Sequence, residues 1–319
     1  MNRHSRAPIL ISCLGVQDDI TLLPHFLAHY RDLGIQPGSA HVIVHAPDPG
    51  HPGVAEARKT LAAFGHEPAE IWTDSYSSGA MWERRRAVQA RVAKDQDWII
   101  NADVDEFHEY PADLATVLDW CEARDVTCVQ GPFIDRIASD GRLAAVPVKS
   151  PLDPQFPVKA EAMLRIAGTE GKHNQYGTVK LMLHRGDVMP SRGGHHPRQD
   201  GGRIQYALHR PLAEFPEITR PAFRFSHPFR VHHYKWTDTL ITGLRRRLAD
   251  PAVSPAGYDY GMRLLAYFDA HDGFDVQDLA QDDGKYRSIL PWRMQMAVLR
   301  RGTRLRSVAG KVKQRFKRI

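Results

Sequence analysis

Residues 98–107 read WIINADVDEF, a short apolar run that ends in three carboxylates within four positions. Trp98, Ile99 and Ile100 follow one another without polar alternation, which is typical of a strand buried on both faces in a parallel sheet. In open α/β sheets, ligands bind beyond the carboxyl ends of such strands. The stretch therefore predicts an α/β fold with a binding site at the end of one interior strand.

The spacing of the acids indicates what the site binds. Side chains alternate along an extended backbone, so Asp103 and Asp105 are expected on one side of the strand and Val104 and Glu106 on the other. Two hard oxygen ligands on one face suit Mg²⁺ or Mn²⁺, and such an ion suits a substrate that carries a diphosphate. The alternative is an acidic edge that water solvates and that binds nothing, because Asp-x-Asp alone is a short and common pattern.

The size of the chain, 319 residues, fits one large α/β domain or one domain with an appended subdomain. Its three cysteines, Cys13, Cys121 and Cys128, include no Cys-x-x-Cys pair, which argues against a disulfide framework and favours a reducing compartment. The apolar run at 8–14 fits a first strand better than a secretory signal, and no run approaches the roughly 18 apolar residues of a membrane span. A cytoplasmic protein is expected, either soluble or peripheral at the inner face of the membrane.

The net charge of +6 comes from the C-terminal end of the chain. Residues 284–319 contain twelve Lys or Arg and no acid, which leaves 31 basic against 37 acidic residues elsewhere. A protein that reads DNA or RNA usually carries its positive patch on the folded surface. The mildly acidic body therefore argues against nucleic acid as a partner.

The first hundred residues alternate between short apolar runs and helix-like segments, which indicates βαβ units and a mostly parallel sheet with flanking helices. Strands are expected at 8–14, 40–45, 69–72, 97–103, 127–133, 143–148 and 178–184. Helices are expected at 53–64, 79–94 and 237–248. Two more are expected to begin at acidic caps, one from Asp18 and Asp19 to Leu33 and one from Asp113 to Arg124. Most of Arg84-Arg85-Arg86 is expected to face water. Residues 134–230 are rich in Pro, Gly, His and Arg and are expected to form loops that shape the site.

Three pieces of the chain together resemble bacterial glycosyltransferases of the family 2-like group. They are residues 13–34 with their acidic helix start and Ala28-His29-Tyr30-Arg31, the run that ends Asp-Val-Asp-Glu-Phe, and His233-Tyr234 before a charged helix. The resemblance covers roughly residues 8–248 and implies a GT-A-like, Rossmann-type domain over 1–250. Its nucleotide-sugar half would span about 8–133 and its irregular acceptor half 134–250, followed by a helical extension at 251–319.

The resemblance also implies an activity: a metal-dependent, inverting, hexosyltransferase-like enzyme of polysaccharide biosynthesis. Such an enzyme moves a sugar from a nucleotide-diphosphate donor to a glycan or lipid-linked acceptor. Asp103 and Asp105 would hold Mn²⁺ or Mg²⁺ and the donor diphosphate, Glu106 would shape the same pocket, and His233 would complete the metal's coordination. The alternative for His233 is a ring that is hydrogen-bonded in the core or that caps the next helix.

The nucleotide would lie near Asp18 and Asp19, where the family commonly has Asn-Glu at the end of the first strand. The chain departs from the family pattern at Gln17-Asp18 in place of Lys-Asn, at His25 in place of Glu, and at Ala46 in place of Asp. These changes affect recognition of the base and ribose, and Asp48 or Asp74 is the candidate to substitute.

Transfer with inversion needs a base that takes the proton of the acceptor hydroxyl, and an Asp or Glu beyond the metal strand is expected. The candidates are Asp135, Asp140 and Asp200, with Glu214 further on. Asp140 precedes Gly141, which is also a turn signal. Lys180 and the His195-His196 pair are candidates for contact with phosphate or acceptor.

Residues 292–318 interleave apolar side chains with Lys and Arg, which fits a basic amphipathic helix on an anionic membrane surface. The alternative is a solvated tail, because Gly302 and Gly310 interrupt the helix.

Two rival functions remain open at this point. One is a metal-dependent phosphoryl hydrolase, which the acidic strand end would serve equally well. The other is a non-catalytic carbohydrate-binding protein on the same fold.

Overall fold

The computed structural model describes residues 7–147, 149–167, 175–251 and 253–302. The strands are β1 (Ile9–Gly15), β2 (Ala40–His45), β3 (Pro68–Trp72), β4 (Trp98–Asn101), β5 (Glu106–Glu109), β6 (Cys128–Ile137), β7 (Val158–Ala160), β8 (Val179–Arg185) and β9 (Arg230–His233). The helices are α1 (Leu23–Asp32), α2 (Pro52–Ala63), α3 (Ser78–Val92), α4 (Leu114–Glu122), α5 (Pro221–Ser226), α6 (Leu240–Ala249), α7 (Pro255–Ala270), α8 (Val276–Leu279) and α9 (292–302). The strands form one sheet in the order β3-β2-β1-β4-β8-β6-β9-β5, and β7 pairs with β6.

The first half of the sheet is parallel: β1 pairs with β2 and with β4, and β2 pairs with β3. Strands β1, β2 and β4 follow the apolar runs of the sequence, because helices cover both faces of the sheet there and bury side chains on each side. Strand β3 lies at the edge of the sheet and is only partly buried. The α/β class with flanking helices is confirmed, and the topology is consistent with the GT-A-like, Rossmann-type fold expected from the sequence. The carboxyl ends of β1 and β4 meet at one edge, where the site lies.

The second half of the sheet is mixed and brings distant segments to that edge. Strand β8 runs antiparallel between β4 and β6. Strand β9 pairs parallel with β6 and antiparallel with β5, which directly follows the acidic run. Residues 179–185 and 230–233 therefore lie beside acids that are distant in sequence, with 77 positions between Asp103 and Lys180.

Most predicted elements are confirmed to within a few residues, with three corrections. The strand expected at 143–148 is wrong for its described residues, which contribute a single isolated bridge between Ala144 and Thr237. The first helix begins at Leu23 after a 3-10 turn, so Asp19 caps that turn and makes no side-chain capping bond. The helix expected from 237 begins at Leu240.

The C-terminal extension packs its last described helix on the body. In α9, Trp292 lies 5.5 Å from the ring of Trp120 and Met296 is buried. The amphipathic tail expected beyond it falls mostly on 303–319, outside the described residues. Within the described part of the chain, no helix has the length and apolarity needed to cross a membrane.

Candidate active site

The acidic run lies in a turn and not in an extended strand. Strand β4 ends at Asn101, and the amide of Glu106 donates to the carbonyl of Asp103 at 2.9 Å before β5 begins. The expected alternation is therefore wrong at this point, because carboxylate oxygens of Asp103, Asp105 and Glu106 all lie within 4.8 Å of one another. The site has three neighbouring acids where two were expected on one face.

Two buried cations hold Asp103. Arg85 forms an ion pair with Oδ1, and Lys180 Nζ lies 2.9 Å from Oδ2. Burial opposes ionisation of Asp103, but the charges of Lys180 and Arg85 outweigh it and hold the pKa of this carboxyl well below its usual range. The expectation that the three consecutive arginines mostly face water is wrong for Arg85, which also donates to the carbonyl of Ile11 at 2.7 Å.

Glu106 shares Lys180 with Asp103. Its Oε2 lies 2.8 Å from Lys180 Nζ and accepts the amide of Asp103 at 2.9 Å. Burial, assisted by the negative charges of Asp103 and Asp105, raises the pKa of Glu106 to about 7 in spite of Lys180. Glu106 is thus a buried member of the cluster whose Oε2 is already engaged.

His233 lies on the other side of the cluster, between two carboxylates. Its Nδ1 donates to Asp135 Oδ1 at 3.0 Å, and its Nε2 lies 3.4 Å from Asp105 Oδ2. Burial alone would lower the pKa of His233, but its hydrogen bonds to Asp105 and Asp135 raise it to about 9. The ring is therefore fixed, and its Nε2 is aimed at Asp105.

Asp135 is positioned to orient this ring. Besides His233, it accepts Trp236 Nε1 at 2.9 Å and the amide of Met163 at 2.7 Å. Its side chain is 1% exposed. A carboxylate with three donors and no access to solvent is suited to hold a neighbour in place and poorly suited to remove a proton from a substrate.

The end of β1 lies near the cluster and is contacted by α6. Burial, followed by the charges of Asp105 and Asp18, raises the pKa of Asp19, so these acids lie close together. Asp18 forms an ion pair with Arg246, and its carbonyl accepts Thr239 Oγ1 at 3.0 Å. The acids expected to face the nucleotide are thus beside the metal-motif acids, with a basic helix across from them.

The donor set on the His233 side fits a divalent cation. Two neighbouring ligands at about 2.1 Å from an ion stand roughly 3 Å apart, close to the 3.4 Å between His233 Nε2 and Asp105 Oδ2. A metal-binding His commonly donates its other ring nitrogen to a carboxylate, as His233 does to Asp135. Asp103 fits less well, because each of its oxygens already faces a cation.

Of the other residues predicted to bind the donor, Lys180 lies in the site, and Asp48 and Asp74 have their contacts elsewhere. Lys180 has 0% exposure and contacts the acids themselves. Asp48 caps a loop by accepting the amide of Gly50 at 2.9 Å, and the exposed Asp74 pairs with Arg84.

The remaining base candidates lie in turns and surface pairs. Asp140 accepts the amide of Arg142 at 3.0 Å, and Asp200 forms an exposed ion pair with Arg198. Glu214 accepts the hydroxyl of Tyr176 at 3.0 Å. Of the base candidates, Asp135 is therefore the one that the structure joins to the acidic cluster, through His233.

The residue that the sequence reasoning missed is Arg85. A usable signal exists, because Met81, Trp82, Arg85 and Val88 recur at helical spacing and all lie on the buried face of α3. A single basic residue inside an apolar helix stripe predicts a buried charge, and a buried charge needs a partner.

No family model matches the chain, and the curated proteins contain no match either. Among solved structures, the chain is similar to S. aureus TarS at 12% identity and a TM-score of 0.28, over 84% of this chain and 44% of that one. A structure of S. aureus TarS 1-349 gives 10% identity and a TM-score of 0.30, over 82% and 73%. The chain thus spans less than half of the first structure's length. Likeness at this level identifies no activity, so the evidence for function is the site itself.

Proposed function

We propose that this protein is a glycosyltransferase that moves a sugar from a nucleotide-diphosphate donor to a hydroxyl acceptor with the help of Mn²⁺ or Mg²⁺. The observation that carries the proposal is the cluster of Asp103, Asp105 and Glu106 at the end of an interior strand, with His233 aimed at Asp105. The sequence resemblance to family 2-like glycosyltransferases, which includes these residues and extends to residues 13–34, supports it as well.

Asp105 and His233 are the residues that would hold the ion, and Asp135 fixes the His233 ring for that purpose. When bound, the ion supplies charge stabilisation for the departing diphosphate, an effect of several kcal/mol in a preorganised site. Asp103 and Glu106 keep their positions through Lys180 and so shape the floor of the pocket.

The cationic side chains beside the end of β1 suit the diphosphate. The charges of Lys235 and Arg247 oppose the burial and the neighbouring acids that raise the pKa of Asp19, which places both among the charges that act on the end of β1. Arg246, which lies beside Arg247 in α6, pairs with Asp18. We assign Lys235 and these two arginines to donor phosphate contacts, which makes Asp18 and Asp19 neighbours of the nucleotide.

Inversion, a hexosyl donor, and a glycan or lipid-linked acceptor belong to the same proposal. A base on the acceptor side would remove the hydroxyl proton. Asp135 takes a positioning role in this scheme because it is buried and holds His233. A role in polysaccharide biosynthesis at the inner face of the membrane, with the basic tail as the contact, stays a prediction.

A thermal-shift panel followed by a turnover assay tests the function. Mn²⁺ and one nucleotide diphosphate are expected to raise the melting temperature together by more than the sum of their separate effects. The matching sugar nucleotide should then be transferred or slowly hydrolysed, releasing the nucleotide diphosphate.

The same panel separates the rivals. A phosphoryl hydrolase would release phosphate from simple esters, and a carbohydrate-binding protein would show no metal-dependent turnover. A protein that no nucleotide diphosphate stabilises, with or without Mn²⁺, would contradict the proposal.

A further inference from the structure

Lys180 occupies an unusual place for a lysine. The register of β4 and β8 pairs Ile100 with Leu183, and its continuation sets Lys180 beside Asp103 at the carboxyl end of β4. The side chain has 0% exposure, and its Nζ contacts Asp103 at 2.9 Å and Glu106 at 2.8 Å. A lysine is almost never fully buried unless it is paired. Here one ammonium lies between two of the three acids.

The position of Lys180 Nζ is one that a metal ion bridging Asp103 and Glu106 would otherwise take. Its 2.8 and 2.9 Å contacts are those of charge-assisted hydrogen bonds, and Arg85 engages the other oxygen of Asp103. Two cations thus balance two carboxylates in this part of the cluster.

The His233 side of the cluster has a different balance of charge. Asp105 and Asp135 flank the single imidazole of His233, and Asp19 lies near Asp105. The charge of Lys235 also acts on Asp105, but within the described residues the direct partner of the Asp105 carboxylate is the imidazole of His233 at 3.4 Å. Asp103 and Glu106 by contrast contact the ammonium of Lys180, so Asp105 is the least compensated of the three acids. A divalent ion is attracted to that position and repelled from the position of Lys180.

We propose that Lys180 is a built-in cation that fills the Asp103–Glu106 end of the acidic cluster and so confines divalent-cation binding to Asp105 and His233. Asp103 and Lys180 are positioning residues under this proposal, and Asp105 is the acid that contacts the ion. The inference deepens the proposed function, on which it rests for the presence of a divalent ion.

The first experiment measures Mn²⁺ binding to the donor-free protein by calorimetry and by electron paramagnetic resonance, in wild type and Lys180→Met. Methionine keeps an unbranched apolar side chain one atom shorter than lysine and removes the charge. We expect Lys180→Met to bind Mn²⁺ at least about tenfold more tightly, or to gain a site absent from wild type, because Asp103 and Glu106 become free to coordinate. Equal Mn²⁺ affinity in the two proteins, or weaker binding by the variant, would overturn the proposal.

A matched control removes a lysine elsewhere. Lys59→Met alters an exposed lysine of α2 and should leave Mn²⁺ affinity unchanged. If it tightens binding as much as Lys180→Met does, the effect is one of overall charge and the proposal is wrong.

A second arm covers the case in which Lys180→Met does not fold. Asp103→Asn and Asp105→Asn remove the same charge two residues apart. We expect Asp103→Asn to weaken Mn²⁺ binding less than about threefold and Asp105→Asn more than about thirtyfold. Equal losses in the two variants, or a larger loss in Asp103→Asn, would overturn the proposal.

These measurements use no donor or acceptor, so they separate the inference from the function. A protein that shows the expected pattern of Mn²⁺ binding but transfers no sugar supports the role of Lys180 and contradicts the glycosyltransferase proposal. A sugar-transferring protein in which Asp103 and Asp105 contribute equally to Mn²⁺ binding supports the activity and contradicts the inference.

Discussion

The parallel and mixed halves of the sheet contribute different chemistry to the site. The parallel half supplies acids at the ends of β1 and β4, namely Asp19 and Asp103. The mixed half supplies the groups that face them, Lys180 from β8 and His233 from β9. Each acid follows its own strand directly in the sequence, whereas Lys180 is 77 positions away from Asp103.

This difference means that the site is built from residues of both halves. Buried acids are costly unless cations or donors accompany them. Strand β8 pairs directly with β4 and carries Lys180. The ammonium of Lys180 offsets the cost of burying Asp103 and Glu106. If the acids and their distant partners act as one unit, substitutions in the cluster should have far larger effects than substitutions at the surface.

The largest effect is expected from Asp105→Ala. Sugar transfer should fall by about 10³-fold or more, roughly 4 kcal/mol of transition-state stabilisation, because the acid that we propose to contact the ion is lost. The measurement is kcat/KM for the donor at saturating Mn²⁺.

Asp200→Ala is the control for this variant. It removes an exposed carboxylate that pairs with Arg198 and should leave kcat/KM within about twofold. Full activity in Asp105→Ala, or an equal loss in the control, would break the assignment of the acidic cluster to catalysis.

The parallel half was largely predictable from sequence, and the reason is physical. A strand buried on both faces needs an uninterrupted apolar run, so Leu10 and Ile100 identify β1 and β4 without any knowledge of their partners. Strand β9 is harder to predict, because three of its four residues, Arg230 and two histidines, are polar. Their ionic partners lie far away in the sequence and meet them only in the folded sheet.

The second prediction concerns pH and isolates His233. Its folded pKa of about 9 lies above the ordinary value of 6.5, so its contribution to stability is fully present below pH 6.5 and is lost as the pH rises through 9. The loss should be roughly 2 to 3 kcal/mol, measured by urea unfolding in EDTA at pH 6 and pH 9.5.

His233→Gln is the matched variant for this measurement. It should be less stable than wild type at pH 6 and should approach it at pH 9.5, because the variant has no proton to lose. Parallel pH profiles in the two proteins would show that His233 is not held between Asp105 and Asp135 as a cation.

The acids of the site were also predictable, but their roles were not. Asp103 and Asp105 look equivalent in an Asp-x-Asp pattern, and the turn that follows Asn101 brings Glu106 to the same side. Their difference comes from Lys180 and Arg85, whose approach depends on sheet order and helix packing. A pattern of three acids therefore predicts a cation site without saying which acid meets the cation.

The third prediction tests Asp135 as a positioning residue. Asp135→Asn should weaken Mn²⁺ binding by about 10-fold to 100-fold, because an amide neither fixes the imidazole nor strengthens it as a ligand as well as a carboxylate does. It should also lower the pKa of His233 in NMR titrations without metal.

Trp236→Phe is the control, since it removes one donor to Asp135 and keeps the carboxylate. Its effect on Mn²⁺ affinity should be several-fold smaller. A variant at Asp135 that loses stability while Mn²⁺ affinity and the His233 pKa stay unchanged would reduce this residue to a structural role.

The smallest effect is expected where the two halves meet at the surface. Arg246 pairs with Asp18, and their side chains are 41% and 32% exposed. Water and salt screen such a pair, so Arg246→Ala should reduce the free energy of unfolding by less than about 1 kcal/mol. Arg31→Ala breaks an exposed pair within one half and should have a similar effect.

Loss of the buried Lys180 contacts should cost several times more, because it leaves Asp103 and Glu106 buried with one cation fewer. Urea unfolding of the three variants ranks these losses, and a surface variant that equals Lys180→Met would show that the halves are joined at α6 and not through the acidic cluster.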